Sequence, residues 1–403
     1  MDKHPLGNRD LIRAINRSAA LNTIKTYGPI SRAEIARFTR LSAATISGIT
    51  AELIDDDLIF EKETGDSNGG RRPILLALNP RGGYVVGLKL LENQVVGVLT
   101  DLEATVLANH TQPLDDHFLE AAIDTLSAVV EALVRQCGVA QKQLMGVGLG
   151  LAGIIDAPHG QLRYSPTFGW RNVPIGDLLR ERVQTPVHVG NDVDTLTLAE
   201  KWFGKGQGLD NFLTVTIGRG VGLGIVVNGQ IYSGFKGGAG EFGHIVIDPA
   251  GPQCACGNRG CLETYVSDPA LLRRAKEAVA RGDLPDTVQS LNSLLQQVQE
   301  GNPVALAIFS QAGQVLGRSI ANLINIFSPQ QIIVSGEGIR AGDLIFDPMR
   351  ATIAQHVMPG LAEDTEIEVD IWNDDAWARG AASLVLQELF SSPIHRNTAR
   401  TPI

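Results

Sequence analysis

Three scarcities in the 403-residue sequence exclude large classes of protein. Four cysteines are too few for the disulfide framework of a secreted scaffold. The N-terminus is charged from Asp2 and Lys3 onward, so no apolar signal segment is expected there. The longest nearly uncharged apolar run, residues 144–155, is too short and too rich in glycine to span a bilayer. We therefore expect a cytoplasmic protein with no membrane segment.

Positive charge is also scarce overall, because the net charge is −10. The first 50 residues nevertheless carry eight lysines and arginines against three acidic residues, a net charge of +5, which leaves −15 for the remainder. A basic head on an acidic body fits a small phosphate-binding module joined to a larger domain that repels polyanions. A solvated helical face would explain the same asymmetry, so charge alone does not decide between them.

Local signals in the basic head predict three short helices. The first ends at Tyr27, before Gly28-Pro29, and residues 31–34 form a capping box that opens the second helix. We expect the second helix to bury Phe38. The third helix begins after Ser42, and its outward face is small and uncharged, so it can approach base edges closely. The candidate base-reading residues are Ser42, Ala43, Ala44, Thr45, Ser47 and Thr50.

Two strand-like runs follow the third helix and are joined by a glycine-rich loop that ends in Arg71 and Arg72. A hairpin with arginines near its tip is typical of the wing of a winged helix-turn-helix, which reaches a phosphate or a minor groove. We predict that residues 1–80 are such a domain and that Arg32, Arg71, Arg72 and the third helix contact double-stranded DNA. A three-helix protein-interaction module is the alternative.

The rest of the chain has the pattern of two similar α/β halves. Strand-like runs open each half, at residues 83–110 and 211–234, and helices follow. We predict a first lobe at 81–190 and a second at 191–390, with a ligand cleft between them. The C-terminal helix is expected to pack back on the first lobe, and residues 391–403 form a polar tail.

A cluster of metal-binding residue types lies in the second half. The spacing H-x9-C-x-C-x4-C is formed by His244, Cys254, Cys256 and Cys261. One imidazole and three thiolates fill the tetrahedral shell of Zn²⁺ and leave no position for a reactive water. We therefore predict one structural zinc ion per chain. The alternative is that these four residues are unrelated and the cysteines are simply reduced.

Three segments together resemble the ROK family of bacterial sugar repressors and sugar kinases. They are "GNDVDTLTLAE" at 190–200, "GGAGEFGHIVID" at 237–248 and "CACGNRGCLE" at 254–263. The N-terminal module resembles that of the family's repressor branch. The resemblance covers nearly the whole chain and implies an actin/hexokinase-like, two-lobed α/β fold with sugar bound in the cleft.

The resemblance also implies a set of sugar-binding residues: Gly153, Asn191, Asp192, Glu241, His244 and Glu263. Carboxylates suit this task because they accept charge-assisted hydrogen bonds from the vicinal hydroxyls of a pyranose. His244 can bind the metal through one ring nitrogen and offer the other to the sugar. In the family's kinases the residue matching Asp192 is the catalytic base.

The sequence departs from the kinase pattern at both phosphate loops. Lys89 stands near the position of the kinases' first aspartate, and Leu91-Glu92-Asn93-Gln94 replaces their glycine-containing loop. The second loop is Gly218-Arg219-Gly220 instead of Gly-Thr-Gly. Phosphoryl transfer requires metal-bound ATP held in line, so an isolated Asp192 does not suffice. We expect no enzymatic activity, with Asp192 a vestigial base.

These observations together predict a sugar-responsive transcriptional regulator, a repressor of genes for sugar uptake or catabolism. It would bind a palindromic operator as a homodimer or homotetramer, because heads of this size use two half-sites. An ATP-dependent hexose kinase with an appended DNA-binding head is the main alternative. A regulator whose cleft binds a partner protein is a further one.

Overall fold

The computed structural model describes residues 9–64, 73–361, 363–371 and 374–390. The N-terminal head consists of α1 Arg9–Tyr27, β1 Ile30–Ser31, α2 Arg32–Thr39, α3 Ala43–Asp55, β2 Ile59–Thr64 and β3 Ile74–Leu78. Its strands form an antiparallel sheet in the order β1-β3-β2. Arg71 and Arg72, predicted to lie at the wing tip, fall outside the described residues.

The local signals in the head are confirmed. Ser31 and Glu34 form the reciprocal capping box of α2, and the Ser42 side chain accepts from the Thr45 N–H at the start of α3. The prediction that α2 buries Phe38 is wrong, because this side chain is 48% exposed. Its ring instead stacks on that of Tyr27, with the centroids 4.6 Å apart. The two rings cover each other at the surface of the head.

The first lobe is built on a mixed sheet in the order β11-β7-β4-β5-β6. Its elements are β4 Tyr84–Leu90, β5 Gln94–Thr100, β6 Val106–Pro113, α4 Leu119–Cys137, β7 Leu144–Leu151, β8 Ile154–Asp156, β9 Gln161–Tyr164, β10 Arg171–Val173, α5 Ile175–Val183 and β11 Val187–Asn191. Helices α4 and α5 cover one face of this sheet with apolar side chains.

The second lobe has a sheet in the order β14-β13-β12-β15-β16. Its elements are α6 Asp192–Phe203, β12 Phe212–Ile217, β13 Val221–Val227, β14 Gln230–Ile231, α7 Glu263–Val266, α8 Asp268–Ala280, α9 Leu291–Gln299, α10 Pro303–Phe327, β15 Gln331–Ser335, α11 Asp343–His356, β16 Glu366–Val369 and α12 Asp374–Phe390. Asn228 and Gly229 both have positive φ at the β13–β14 turn, as a two-residue hairpin requires.

Two helices, α6 and α12, lie between the two sheets. Helix α12 packs on the first sheet, α6 packs on the second, and the two helices pack on each other. The approach is close at glycines: a methyl group on Gly87 would lie 1.9 Å from the Ala378 carbonyl oxygen, and one on Gly148 would lie 1.8 Å from that of Ala381. No larger residue fits at these two positions of the sheet.

The head is joined to the body through a shared apolar core. Leu21 and Ile24 of α1 belong to the same buried cluster as Leu386 and Phe390 of α12. The C-terminal helix therefore contacts the first sheet, the second lobe through α6, and the head. None of the helices in the described ranges is both long and apolar enough to cross a membrane.

Candidate functional site

The four predicted metal ligands meet in one place. The ligand atoms of His244, Cys254, Cys256 and Cys261 all lie within 4.8 Å of one another. The Nδ1 atom of His244 is 3.5 Å from the sulfur of Cys254, and the sulfurs of Cys256 and Cys261 are 3.6 Å apart. A tetrahedron of sulfurs at zinc-like bond lengths has edges of about 3.8 Å, so the spacing fits a four-coordinate ion.

Backbone hydrogen bonds hold the two halves of this cluster together. The Leu262 N–H donates to the Ile245 carbonyl at 3.0 Å, which places Cys261 beside His244. The Cys254 N–H donates to the Asn258 carbonyl at 2.8 Å and closes the cysteine turn. Burial raises the pKa of the Cys261 thiol to about 12. A bound cation would reverse this shift by stabilising the thiolate, as the donor set of a structural metal site requires.

The predicted sugar pair, Asn191 and Asp192, lies where the chain crosses from the first lobe to the second. Strand β11 ends at Asn191 and α6 begins at Asp192, without a linker. The side-chain Oδ1 of Asn191 accepts from the Val193 N–H at 2.8 Å and caps α6, while the side-chain Nδ2 donates to the Gly153 carbonyl at 3.0 Å. A ligand that binds this pair therefore acts on the first turn of α6.

Gly153 has to be glycine for two reasons. Its φ of 138° is disfavoured for residues with a side chain, and a methyl group there would lie 2.3 Å from the Tyr164 carbonyl oxygen. The tight turn after β7 brings the Gly153 carbonyl to Asn191. Gly153 thus fixes the position of the Asn191 amide.

The remaining carboxylates face the same space. Glu241 Oε2 lies 3.9 Å from His244 Nε2, and Glu263 Oε2 accepts from the Val221 N–H at 3.1 Å. Burial raises the pKa of Glu241, and repulsion from Glu263 and Asp192 raises it further against the attraction of His244. Burial also raises the pKa of Asp192. Partly buried carboxylates gathered in this way favour hydroxyl donors as ligands.

His244 connects the two parts of the site. Its Nδ1 atom faces the cysteine sulfurs, and its Nε2 atom faces Glu241. A metal ion bound to the cluster would therefore fix the ring whose other nitrogen faces Glu241. This arrangement is the one that a metal-ligating histidine with an outer carboxylate partner adopts.

The two loops that match the kinases' phosphate loops are bonded to each other. Glu92, between β4 and β5, forms an ion pair with Arg219, between β12 and β13. This pair bridges the two lobes, and the Arg219 guanidinium lowers the pKa of Glu92. Lys89, near the first kinase aspartate, is buried with its nitrogen 4.1 Å from the centre of the Trp377 ring.

Sequence reasoning missed Asp194, a carboxylate in the same helical turn as the predicted sugar residue Asp192. Its Oδ2 atom accepts from the Ser233 hydroxyl at 2.8 Å, which ties the first turn of α6 to the loop that leads to Glu241. Burial raises the pKa of Asp194 to about 6. The signal was present in the sequence, because Asp194 is the third residue after the helix cap at Asn191.

The exposed part of α3 carries most of the predicted DNA-contacting residues. Ser42, Ala43, Ala44 and Ser47 are exposed, and Thr45 is partly exposed with its hydroxyl 2.8 Å from that of Ser42. The prediction that Thr50 contacts DNA is wrong, because this residue is completely buried.

The Thr50 hydroxyl is instead used inside the head. It accepts from the Arg32 guanidinium Nε at 3.0 Å, and another nitrogen of Arg32 pairs with Glu61 of β2 at 3.0 Å. Arg32 therefore connects α3 to the strand that leads into the predicted wing. Only the unbonded side of its guanidinium is available to a phosphate.

Comparisons with known proteins extend over both the head and the body. The model of the ROK family matches residues 85–388. The xylose repressor of Caldicellulosiruptor bescii is 30% identical over 397 residues, which cover 96% of this chain and 99% of that protein. The N-acetylglucosamine repressor of Escherichia coli O6:H1 is 32% identical over 351 residues, 86% of each chain.

A solved structure gives the same result for the fold. The crystal structure of a ROK family transcriptional regulator, a homolog of the E. coli MLC protein, superimposes with a TM-score of 0.84 at 29% identity. It covers 97% of this chain and 100% of its own. The similarity therefore includes the N-terminal head.

The tight turn at Gly153 generates a first prediction. Gly153→Ala should lower the free energy of unfolding by about 1–3 kcal/mol more than Gly360→Ala, because both positions have positive φ but only Gly153 lacks space. Urea unfolding of the two variants measures this difference. Equal losses would contradict the assigned packing against Tyr164.

The raised pKa of Asp194 generates a second prediction. Because the folded state holds this proton more tightly than the unfolded state, its contribution to stability is lost as pH rises from about 4 to about 6. The stability of Asp194→Asn relative to the native protein should therefore rise over that interval, by about 1–3 kcal/mol. Asparagine keeps the acceptor for Ser233. Urea unfolding at several pH values measures the difference, and a pH-independent difference would refute the assignment.

Proposed function

Because the chain belongs to the ROK family, we propose that it is a sugar-responsive transcriptional repressor. Its head binds operator DNA as a winged helix-turn-helix, and its cleft binds a mono- or disaccharide. The observation that carries this proposal is that one chain joins an exposed small-residue face on α3 to a group of partly buried carboxylates with raised pKa values beside Asn191. Relatives named as sugar repressors over 86–96% of this chain support it.

The DNA contacts in this proposal come from the start of α3. Ser42, Ala43, Ala44, Thr45 and Ser47 form a low surface that a major groove can accommodate, with hydroxyls and methyl groups available to base edges. Arg71 and Arg72 would reach the backbone or a minor groove from the wing. A palindromic operator bound by a homodimer or homotetramer would give the affinity that a single head lacks.

The sugar contacts in this proposal come from both lobes. Gly153 and Asn191, the last residue of β11, lie at the edge of the first lobe, whereas Asp192, the first residue of α6, belongs to the second lobe with Glu241, His244 and Glu263. A sugar held by both sets favours the closed arrangement of the lobes over the open one. Such differential binding is what a ligand needs in order to shift a conformational equilibrium.

The proposed metal is a structural zinc ion held by His244, Cys254, Cys256 and Cys261. When bound, it would stabilise the loop around residues 249–261, which buries few apolar side chains of its own. The chain's own contribution to sugar binding is the His244 ring, which the cluster holds with Nε2 toward Glu241.

A non-catalytic role is supported by the ion pair between Glu92 and Arg219, which occupies the place of the kinases' phosphate loops. A carboxylate there repels ATP, and the first loop, Leu91-Glu92-Asn93-Gln94, has none of the glycines that let a backbone close on a phosphate. The relatives named as repressors support the same interpretation.

The proposed function predicts that a sugar changes operator affinity. An operator is first selected from random DNA with the purified protein, and its affinity is then measured with and without D-xylose, N-acetylglucosamine, D-glucose and maltose. One of them should change the operator Kd by about 5- to 150-fold. Asp192→Asn should abolish the effect and leave the sugar-free operator affinity unchanged.

Two outcomes would overturn this proposal. The first is an operator Kd that none of a broad panel of mono- and disaccharides changes. The second is sustained ADP release from Mg-ATP in the presence of one of these sugars, abolished by Asp192→Asn, which would indicate a sugar kinase instead.

The metal assignment predicts a loss of zinc from Cys256→Ser. This side chain is exposed, so the substitution removes a ligand without disturbing the core. Elemental analysis should show about one zinc per native chain and much less in the variant, together with weaker sugar binding. Cys137→Ser is the matched control, because Cys137 lies on α4, outside the cluster. Full zinc content in Cys256→Ser would refute the ligand assignment.

A further inference from the structure

Helix α6 extends from the cleft to the head. Its first turn carries the sugar pair Asn191 and Asp192, and its last turn carries Trp202 and Phe203. Twelve helical residues span about 18 Å, so a single rigid element connects the two regions. Because no flexible loop intervenes, a small displacement of the first turn of α6 is passed on to its last turn.

Three helices meet at the far end of α6. The Lys25 ammonium of α1 lies 3.1 Å from the centre of the Trp202 ring and 4.5 Å from that of Phe390, the last residue of α12. The Trp202 and Phe390 rings are themselves 6.2 Å apart. We call Lys25, Trp202 and Phe390 the joint. It contains one residue from the head and two from the body.

The packing around α6 leaves little freedom for a compensating movement. A methyl group on Gly380 of α12 would lie 2.2 Å from the Thr195 carbonyl oxygen of α6. On its other side, α6 fits against glycines of β13, where a methyl group on Gly222 would lie 2.5 Å from the Val193 side chain. Close-packed interfaces of this kind move between discrete arrangements and do not deform gradually.

We propose that α6 transmits sugar occupancy from the cleft to the head, and that the contact of Lys25 with Trp202 and Phe390 is the coupling contact. This inference rests on the proposed function and adds to it the residues through which the sugar regulates DNA binding. The sugar binds Asn191 and Asp192, and the C-terminal end of α6 shifts. Trp202 then changes its position relative to Lys25. Helix α1, and with it the rest of the head, then changes its position relative to the body.

The joint is strong enough for this task below about pH 7, because burial lowers the pKa of Lys25 to about 7 and the amine is a cation only below that value. A cation over aromatic rings changes an equilibrium constant by a factor of about 2 to 30. Coupling between two ligand sites commonly amounts to a factor of about 5 to 150. One contact of this type, made in one arrangement and weakened in the other, therefore accounts for a substantial part of an allosteric effect.

The test compares Lys25→Met with native protein. Methionine keeps an apolar chain against Trp202 and removes the charge. Operator Kd is measured with and without D-xylose and N-acetylglucosamine, and sugar Kd with and without operator, because coupling is reciprocal. We expect the sugar Kd of the free variant to stay within about twofold of native, and the coupling factor to fall toward 1. Lys25→Arg, which keeps a cation over the rings, should retain coupling.

Arg17→Met is the matched control. Arg17 lies on the same helix, but its partner is Asp56 within the head. The substitution removes one positive charge from the head, as Lys25→Met does, and it should weaken DNA binding without changing the coupling factor. Trp202→Leu is a second variant that removes the aromatic side of the joint and should also lose coupling.

The outcomes separate this inference from the proposed function. A native protein whose operator affinity responds to neither these sugars nor a wider panel overturns both. A coupled native protein with equally coupled Lys25→Met and Trp202→Leu variants overturns this inference alone. Loss of coupling in Arg17→Met to the same extent would also overturn it, because the effect would then reflect the charge of the head and not the joint.

Discussion

The architecture depends on the close contact between α12 and the first sheet. Glycines at Gly87 and Gly148 let the helix backbone approach the strands to a distance that no side chain would permit. This approach leaves room for α6 on the opposite side of α12, so both helices fit between the sheets. The crossing from β11 into α6, and with it the pair Asn191 and Asp192, is placed by this packing. A larger residue at either glycine would move the cleft and the head together.

A metal ion bound at His244, Cys254, Cys256 and Cys261 would have a comparable effect on the segment that contains Glu241. The segment from Glu241 to Cys261 has little regular structure, and its side chains contribute little to the apolar core. Four converging side chains bound to one ion would supply the constraint that packing does not. Because His244 belongs to both the cluster and the cleft, metal binding and the position of Glu241 are physically linked.

Much of the fold could be predicted from local signals. The capping box at Ser31, the cap at Ser42 and the Asn228-Gly229 turn each depend on residues within four positions of each other, and the structure contains all three. The metal cluster was likewise evident from spacing, because its ligands lie within 18 residues.

The errors and omissions have two sources: a helical periodicity that was not applied at Thr50, and tertiary contacts that have no local signal. Thr50 lies on the same face of α3 as Ile46 and Leu53, so helical periodicity could have shown that it is buried. Phe38 is exposed and stacks on the exposed ring of Tyr27, a contact that no local pattern reveals. The contact of Lys25 with Trp202 joins residues 177 positions apart, and a lysine in a basic head carries no signal of an aromatic partner in the body.

The replacement of the phosphate loops explains how a kinase-like body can serve as a sensor. In a kinase, ATP phosphates held by both loops connect the two lobes. Here Glu92 and Arg219 make that connection directly, but their side chains are 42% and 62% exposed. An ion pair so exposed contributes only about 0–1 kcal/mol. The pair keeps the two loops next to each other, but it is too weak to hold the two lobes in one fixed arrangement. The free energy that selects the closed arrangement is then left to the ligand that contacts both lobes, which in the proposed function is the sugar.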